Sequence, residues 1–457
     1  MTLDHPGQGE TAPQEPRRRP KSGLALYSSL LAERTRGMRS SAMRDMFALT
    51  ERPEVISLAG GLPDTSTFSP ALYARLMAEV AEHSVAKALQ YGPTEGMRAV
   101  AECAVEVMAE EGSAVDPDHL LITTGGQQVL DLVCKTLLDP GDVVLAEGPT
   151  YPGAIPAFAA FQAEVHQVEV DREGLVVEAV AEAIRSLRKA GRRVKLIYTI
   201  PNFQNPAGVT LSASRREALL ALAKEQEVLI LEDNPYGLLR YEGEPLPTIH
   251  SLDQGGGEAE SVIYLGTFSK IFAPGVRVGW VVAPAPIREK LNLAKQGADL
   301  CSSPLCQLFV TAFFRAQEGE RPAWRSYLEG QCALYSRRRD VMVSAIEREL
   351  GEVATFHKPQ GGLFLWVTLD GKIDTTDLLA RCELVAFVPG RAAYCDNRRG
   401  ASAMRLNFAG SPEPQIEEGI RRIAEAVRGE QGLLGALQRP PGGAVLPFAG
   451  RRRKEQR

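Results

Sequence analysis

The stretch Gly266-Thr267-Phe268-Ser269-Lys270-Ile271-Phe272-Ala273-Pro274-Gly275-Val276-Arg277-Val278-Gly279-Trp280 decides how this chain is read. Lys270 stands just past an apolar run, beside the hydroxyls of Thr267 and Ser269, and Arg277 follows seven residues on. That order can set an amine, hydroxyl donors and a guanidinium around one anionic ligand. A lysine amine so placed can form a Schiff base with an aldehyde. Pro274-Gly275 offers a turn that returns Arg277 to the same place.

Outward from this stretch, short apolar runs alternate with helical patterns. Strands are expected at 120–123, 143–146, 195–199, 228–231, 262–265 and 278–282. Several are near-continuous β-branched or Leu-rich runs, as in strands buried on both faces of a mostly parallel sheet. Helical segments at 127–138 and 214–226 lie between them. The expected fold class is α/β, a large domain with a mostly parallel central sheet flanked by helices. Past residue 300 the pattern changes to a long helix at 324–350, strands at 362–368, 385–388 and 403–408, and a helix at 414–427, as in a smaller α+β domain. The expected division is a disordered tail at 1–22, an arm or part of the small domain at 23–69, a large domain at 70–299, a small domain at 300–432 and a flexible tail at 433–457. Both tails are rich in Pro and Arg.

With 52 basic against 57 acidic residues, the chain lacks the strongly basic balance of a nucleic-acid or membrane-surface binder. Seven cysteines, an odd number without C-x-x-C, argue against a disulfide framework or zinc cage and fit a reducing cytoplasm. No run of about 18 apolar residues predicts a membrane span, and the polar N-terminus lacks a signal peptide's apolar centre. Neither G-x-x-x-x-G-K-[ST] nor H-E-x-x-H occurs, so nucleotide-binding and zinc-hydrolase readings have no support.

In open α/β sheets, ligands bind beyond the carboxyl ends of the strands. Three polar residues fall there: Asn205, Asp233 and Lys270. Alone, each reads as a turn, a helix cap or a surface residue. Their co-occurrence at one sheet edge, in this order, points to a ligand site.

Further segments extend the pattern: Ile56-Ser57-Leu58-Ala59-Gly60-Gly61-Leu62-Pro63, Leu89-Gln90-Tyr91-Gly92-Pro93-Thr94-Glu95-Gly96, Thr123-Thr124-Gly125-Gly126-Gln127-Gln128, Glu147-Gly148-Pro149-Thr150-Tyr151, Asn205-Pro206-Ala207-Gly208, Glu232-Asp233-Asn234-Pro235-Tyr236 and Arg405-Leu406-Asn407-Phe408. Together with the lysine stretch, they make residues 24–430 resemble the fold-type I pyridoxal-phosphate aminotransferases of class I/II, and most closely the 2-aminoadipate group. The resemblance implies that Lys270 holds pyridoxal 5'-phosphate as a Schiff base and then shuttles a proton. It implies that Asp233 pairs with the pyridine nitrogen, while Tyr236 and Asn205 hydrogen-bond the ring hydroxyl. Tyr151 would stack on the ring. The phosphate would sit at Gly125, Gly126 and Gln127, where a helix opens, with Thr267, Ser269 and Arg277 adding donors. Tyr91 would reach the phosphate of a neighbouring subunit, which implies a homodimer with shared active sites. Arg405 would clamp the substrate carboxylate, Asn205 would contact it, and Gly60 and Gly61 would let backbone approach. Arg44 aligns with an arm position that reads acidic side chains in the aminoadipate group. Relatives often have Ser where this chain has Gly126 and Thr267, so phosphate binding at Gly126 would rest on backbone.

The reaction so implied moves an amine from an amino acid to a 2-oxo acid such as 2-oxoglutarate, by ping-pong kinetics. A lyase, decarboxylase or carbon–carbon bond-forming reaction on the same cofactor is the alternative. Some transcription regulators carry such a domain behind a winged helix. About 22 residues precede the matching region here, too few for one. The expected partners are therefore amino-acid and 2-oxo-acid substrates and a second copy of the chain, without nucleic acid or membrane.

Overall fold

In the strand 143–148, Val144 packs into one apolar cluster and its neighbours Val143 and Leu145 into another on the opposite face. That alternation, with both faces apolar, makes this a central strand covered on both sides. The computed structural model describes residues 27, 30–38, 52–254, 260–370 and 373–438. Both terminal tails lie largely outside these residues.

From the N-terminus, β1 (Ile56–Ser57) precedes α1 (Pro70–Ala88) and α2 (Arg98–Glu110). Then come β2 (Leu120–Thr123), α3 (Gly126–Leu137), β3 (Val143–Gly148), α4 (Ile155–Ala160), β4 (Glu164–Asp171) and β5 (Gly174–Leu175). The alternation continues with α5 (Val177–Lys189), β6 (Val194–Thr199), α6 (Ala213–Glu225), β7 (Leu229–Asp233), α7 (Ile249–Gln254), β8 (Val262–Thr267) and β9 (Gly279–Val282). After α8 (Ala285–Gln296) and α9 (Pro304–Arg315), a short hairpin, β10 (Gln317–Glu318) and β11 (Arg321–Pro322), leads into the long α10 (Ala323–Leu350). The last part holds β12 (Ala354–Phe356), β13 (Phe364–Leu369), α11 (Thr375–Arg381), β14 (Val385–Ala386), β15 (Val388–Pro389), β16 (Ala403–Asn407) and α12 (Glu413–Gln438).

The large sheet has the order β2-β9-β8-β7-β6-β3-β4-β5. Pairs β8–β7, β7–β6, β6–β3 and β3–β4 are parallel; β2–β9, β9–β8 and β4–β5 are antiparallel. Gly279 at the start of β9 pairs with Thr123 at the end of β2 and with Thr267 at the end of β8. The carboxyl ends of β2, β3, β6, β7 and β8 and the start of β9 therefore share one edge of the sheet. This is the mostly parallel α/β architecture that the apolar runs predict.

Three differences have physical reasons. Strands β3, β7 and β8 run on through Glu147, Asp233 and Thr267, because the backbone ladder continues under polar side chains that are themselves buried. β4 escapes an apolar-run search because it alternates exposed and partly buried residues, as a strand with one wetter face does. Helix α9, expected in the small domain, packs instead with the large one: Val310, Phe313 and Phe314 share a cluster with Leu120, Ile122 and Trp280.

The small sheet, β12-β13-β16-β15, is antiparallel, and β1 pairs in parallel with β14. The segment just after β1 is thereby fixed beside β16, where Leu58 O accepts from Asn407 N at 2.8 Å. No helix among the described residues is long and apolar enough to cross a membrane.

Candidate active site

A cavity of about 500 Å³ opens at the carboxyl edge of the large sheet, against β16 and the turn after β1. That volume suits a small cofactor with its substrate. Its wall includes Asp233 at the end of β7 and Tyr236 after it, Lys270 after β8, Asn205 after β6 and Tyr151 after β3. Gly126 and Gln127 at the start of α3, Thr267, Ser269 and Arg277 line one end, while Gly61 and Arg405 line another. Twelve residues singled out from sequence thus converge from distant parts of the chain.

Lys270 donates from Nζ to the carbonyl oxygen of Gly61 at 2.5 Å. Its amine is pulled down to about 8, first by burial and then by the positive charges of Arg405 and Arg277, with Asp233 opposing. Asp233 is pushed up to about 6 by burial, against a hydrogen bond from Tyr198 and the charge of Lys270. Tyr198 donates from Oη to Asp233 Oδ2 at 2.7 Å. An amine whose proton is exchangeable near neutrality thus shares the cavity with a buried carboxylate.

Asn205 joins two groups. Its Nδ2 donates to Tyr236 Oη at 3.4 Å, and its Oδ1 accepts from Arg405 Nη1 at 3.0 Å. Arg405 Nη2 also donates to Ala59 O at 2.6 Å, and its guanidinium lies 4.2 Å above the ring of Phe364. Burial lowers Arg405 to about 10, which still leaves it a cation at neutral pH. The hydroxyl of Tyr236 is raised by burial and stays protonated. Burial and Asp233 do the same for Tyr151.

At the other end, Gly125 takes φ +77°, and a Cβ there would stand 2.2 Å from Arg277 Nη2. No side chain caps the start of α3. Arg277, itself left-handed at φ 50°, donates from Nη1 to Ser269 Oγ at 3.4 Å and to Pro274 O at 3.1 Å. Thr267 Oγ1 donates to Ser269 Oγ at 2.9 Å. An uncapped helix start, two hydroxyls and an arginine make an anion cradle. An anion cradle, a buried carboxylate and an amine lining one cavity fit pyridoxal phosphate in charge and donor type.

Four expected residues stand apart. Gly60 does not line the cavity; its carbonyl accepts from Asn407 Nδ2 at 2.5 Å. Gly125 lies just behind the wall, against Arg277. Tyr91 is 79% exposed and does not reach the cavity of its own chain. Arg44 lies outside the described residues.

Two contributors escape sequence reasoning. Tyr198 looks like any core residue of β6, and Phe364 like any apolar residue of β13. Glu147 carried a readable signal in Glu147-Gly148-Pro149. It is buried, pushed up to about 7 by burial, and accepts from Thr199 Oγ1, Ile200 N and Gln204 Nε2. It ties the loop of Tyr151 to the loop of Asn205.

Comparison with known proteins gives the family. Residues 53–423 match the family described as aminotransferase class I and II. An aromatic-amino-acid aminotransferase from Thermococcus litoralis is 40% identical over 416 residues, covering 88% of this chain and 95% of that protein. The crystal structure of a kynurenine aminotransferase from Pyrococcus horikoshii superposes with a TM-score of 0.82 at 39% identity, covering 90% of this chain and 99% of that one. An α-aminoadipate aminotransferase from Thermus thermophilus, complexed with N-(5'-phosphopyridoxyl)-L-leucine, gives a TM-score of 0.81 at 33% identity, covering 89% and 99%. The chain belongs to the class I and II aminotransferases.

Proposed function

We propose that this cavity is a transamination site that uses pyridoxal phosphate, takes an amino acid to its 2-oxo acid and passes the amine to a second 2-oxo acid, with 2-oxoglutarate as the acceptor. When bound, the cofactor supplies an aldehyde for the amine and an electron sink for the α-carbon. The observation that carries the reading is the Lys270 amine in one cavity wall with Asp233, Arg405 and Arg277, hydrogen-bonded to Gly61 O and lowered to about 8 by burial and the two arginines.

In this reading Lys270 would hold the cofactor and would be the base that moves a proton from the substrate α-carbon. Its depressed pKa suits that exchange. Asp233, held by Tyr198, would pair with the ring nitrogen. Tyr236 and Asn205 bind the ring hydroxyl, and Tyr151 covers the ring face. Gly125, Gly126 and Gln127 supply backbone donors to the phosphate, joined by Thr267, Ser269 and Arg277. Arg405 grips the substrate carboxylate in two-pronged fashion, with Asn205 beside it and the Gly60-Gly61 backbone close by. The chain acts as a cytoplasmic homodimer, in which the exposed Tyr91 completes the partner's phosphate site. Arg44 reads the far end of an acidic donor.

Purified full-length protein should convert amino acids from a donor panel to 2-oxo acids only when a 2-oxo acid acceptor is present, with parallel double-reciprocal plots. Consumption of donors without any 2-oxo acid product would overturn the reading.

A further inference from the structure

A second set of charges meets the anion cradle through Thr124 and Gln128, the residues that flank Gly125, Gly126 and Gln127. Lys295, in the last turn of α8, has a fully buried side chain and donates from Nζ to Asp299 Oδ1 at 2.7 Å. The other oxygen of Asp299 accepts from Thr124 Oγ1 at 2.8 Å and from Gln128 Nε2 at 2.7 Å. Gln128 Oε1 accepts from the backbone N–H of Thr124 at 2.7 Å. Thr124 O in turn accepts from Arg277 Nη2 at 3.5 Å.

We propose that the Lys295–Asp299 pair is a positioning element for cofactor phosphate, holding the backbone donors of Gly125, Gly126 and Gln127 and the side chain of Arg277 in their binding arrangement. This rests on the reading of that cradle as the phosphate site. Gly125 and Gly126 have no side chains with which to fix their own backbone. The turn they form is restrained from both flanks instead, at Thr124 and at Gln128, by one carboxylate. A lone carboxylate there would repel the phosphate it helps to seat. Lys295 offsets that charge, so the support is rigid and nearly neutral.

The test compares two ligands of the full-length chain after removal of its cofactor: pyridoxal phosphate and pyridoxal, which lacks only the phosphate. Asp299→Asn should weaken pyridoxal phosphate about tenfold or more, the value of a hydrogen bond to a charged group, and pyridoxal less than about twofold. Thr124→Val, an exposed change that leaves the Lys295–Asp299 pair intact, should move the ratio in the same direction by less. It decides the matter if Asp299→Asn does not fold. Equal losses for both ligands, or an unchanged ratio in Thr124→Val, overturn the proposal. Arg277→Ala separates the two levels of the argument. If it leaves the ratio unchanged, the phosphate site itself is wrongly placed and the proposal falls with it. If it collapses the ratio while the Asp299 and Thr124 variants do not, only the positioning role falls.

Discussion

Lys270 and Asn205 follow buried strands of the large sheet and Asp233 ends one, whereas Arg405 lies on β16 of the small one and is held at the cavity by Ala59 and Asn205. The first group is placed by ladder register: Asp233 pairs with Leu265 and Thr267 with Gly279, so the relative heights of the groups are fixed by backbone hydrogen bonds. The second is placed where two sheets meet, by a turn at Gly60 and Gly61 that is tied to β16 through Asn407. In the proposed reading, cofactor chemistry sits on an edge fixed by ladder register, and substrate recognition sits on a seam. Changes on the edge should abolish chemistry for every substrate. Changes at the seam should alter which substrates react.

The largest effect is expected at the edge. Lys270→Ala should lower turnover by roughly 10⁴-fold or more for all donors alike, the upper range for a positioned acid–base group. Steady-state assays over several amino acids would check this, and donor-dependent losses would break the comparison. Asp233→Asn should follow, slowing turnover by about 10²–10³-fold through loss of one buried electrostatic partner.

The same substitution carries a stability signature with a defined sign. The folded pKa of Asp233, about 6, lies above its ordinary 3.8, so burial of the charge costs stability above pH 6 and nothing below about 3.8. Thermal unfolding of the cofactor-free chain should show Asp233→Asn more stable by about 1–3 kcal/mol at pH 8 and unchanged at pH 3.5. Equal Tm shifts at the two pH values would refute the assignment.

At the seam, Arg405→Lys should cost roughly 10²-fold in kcat/KM, mainly through KM, because an ammonium cannot replace a planar two-pronged grip. Cofactor absorption should be unaffected. Smallest is Leu62→Ala, at a leucine of the cavity wall, which should shift the ratio of kcat/KM between large and small apolar donors by less than about tenfold. A loss of cofactor in either seam variant would show that the two regions are not separable.

Much of the edge is legible in sequence because a buried parallel strand is a short apolar run and its ligand-facing residues come directly after it. The seam is less so. Arg405 is an arginine inside a strand, which periodicity alone cannot tell from a solvent-facing edge residue; its role is legible only through the family resemblance of Arg405-Leu406-Asn407-Phe408. Gly61 reads as a flexible turn, and nothing in Gly60-Gly61-Leu62 says that its carbonyl meets the amine of Lys270. Tyr198 is hidden for the opposite reason: an aromatic in a core strand looks like packing until its hydroxyl is seen 2.7 Å from Asp233. Asp299 lies in an irregular segment with no periodic signal, and its meaning appears only when Thr124 and Gln128 are found on its carboxylate.

The account rests on Lys270 as the group that exchanges places with a substrate amine. The most direct test is a single-turnover titration of the purified holoenzyme with an amino acid in the absence of any acceptor, followed by visible absorption. The account predicts that the cofactor band is converted with release of one 2-oxo acid per active site, that 2-oxoglutarate restores it, and that Lys270→Ala lacks the band. A wild-type band that no amino acid converts, or a Lys270→Ala chain that behaves as wild type, would contradict it.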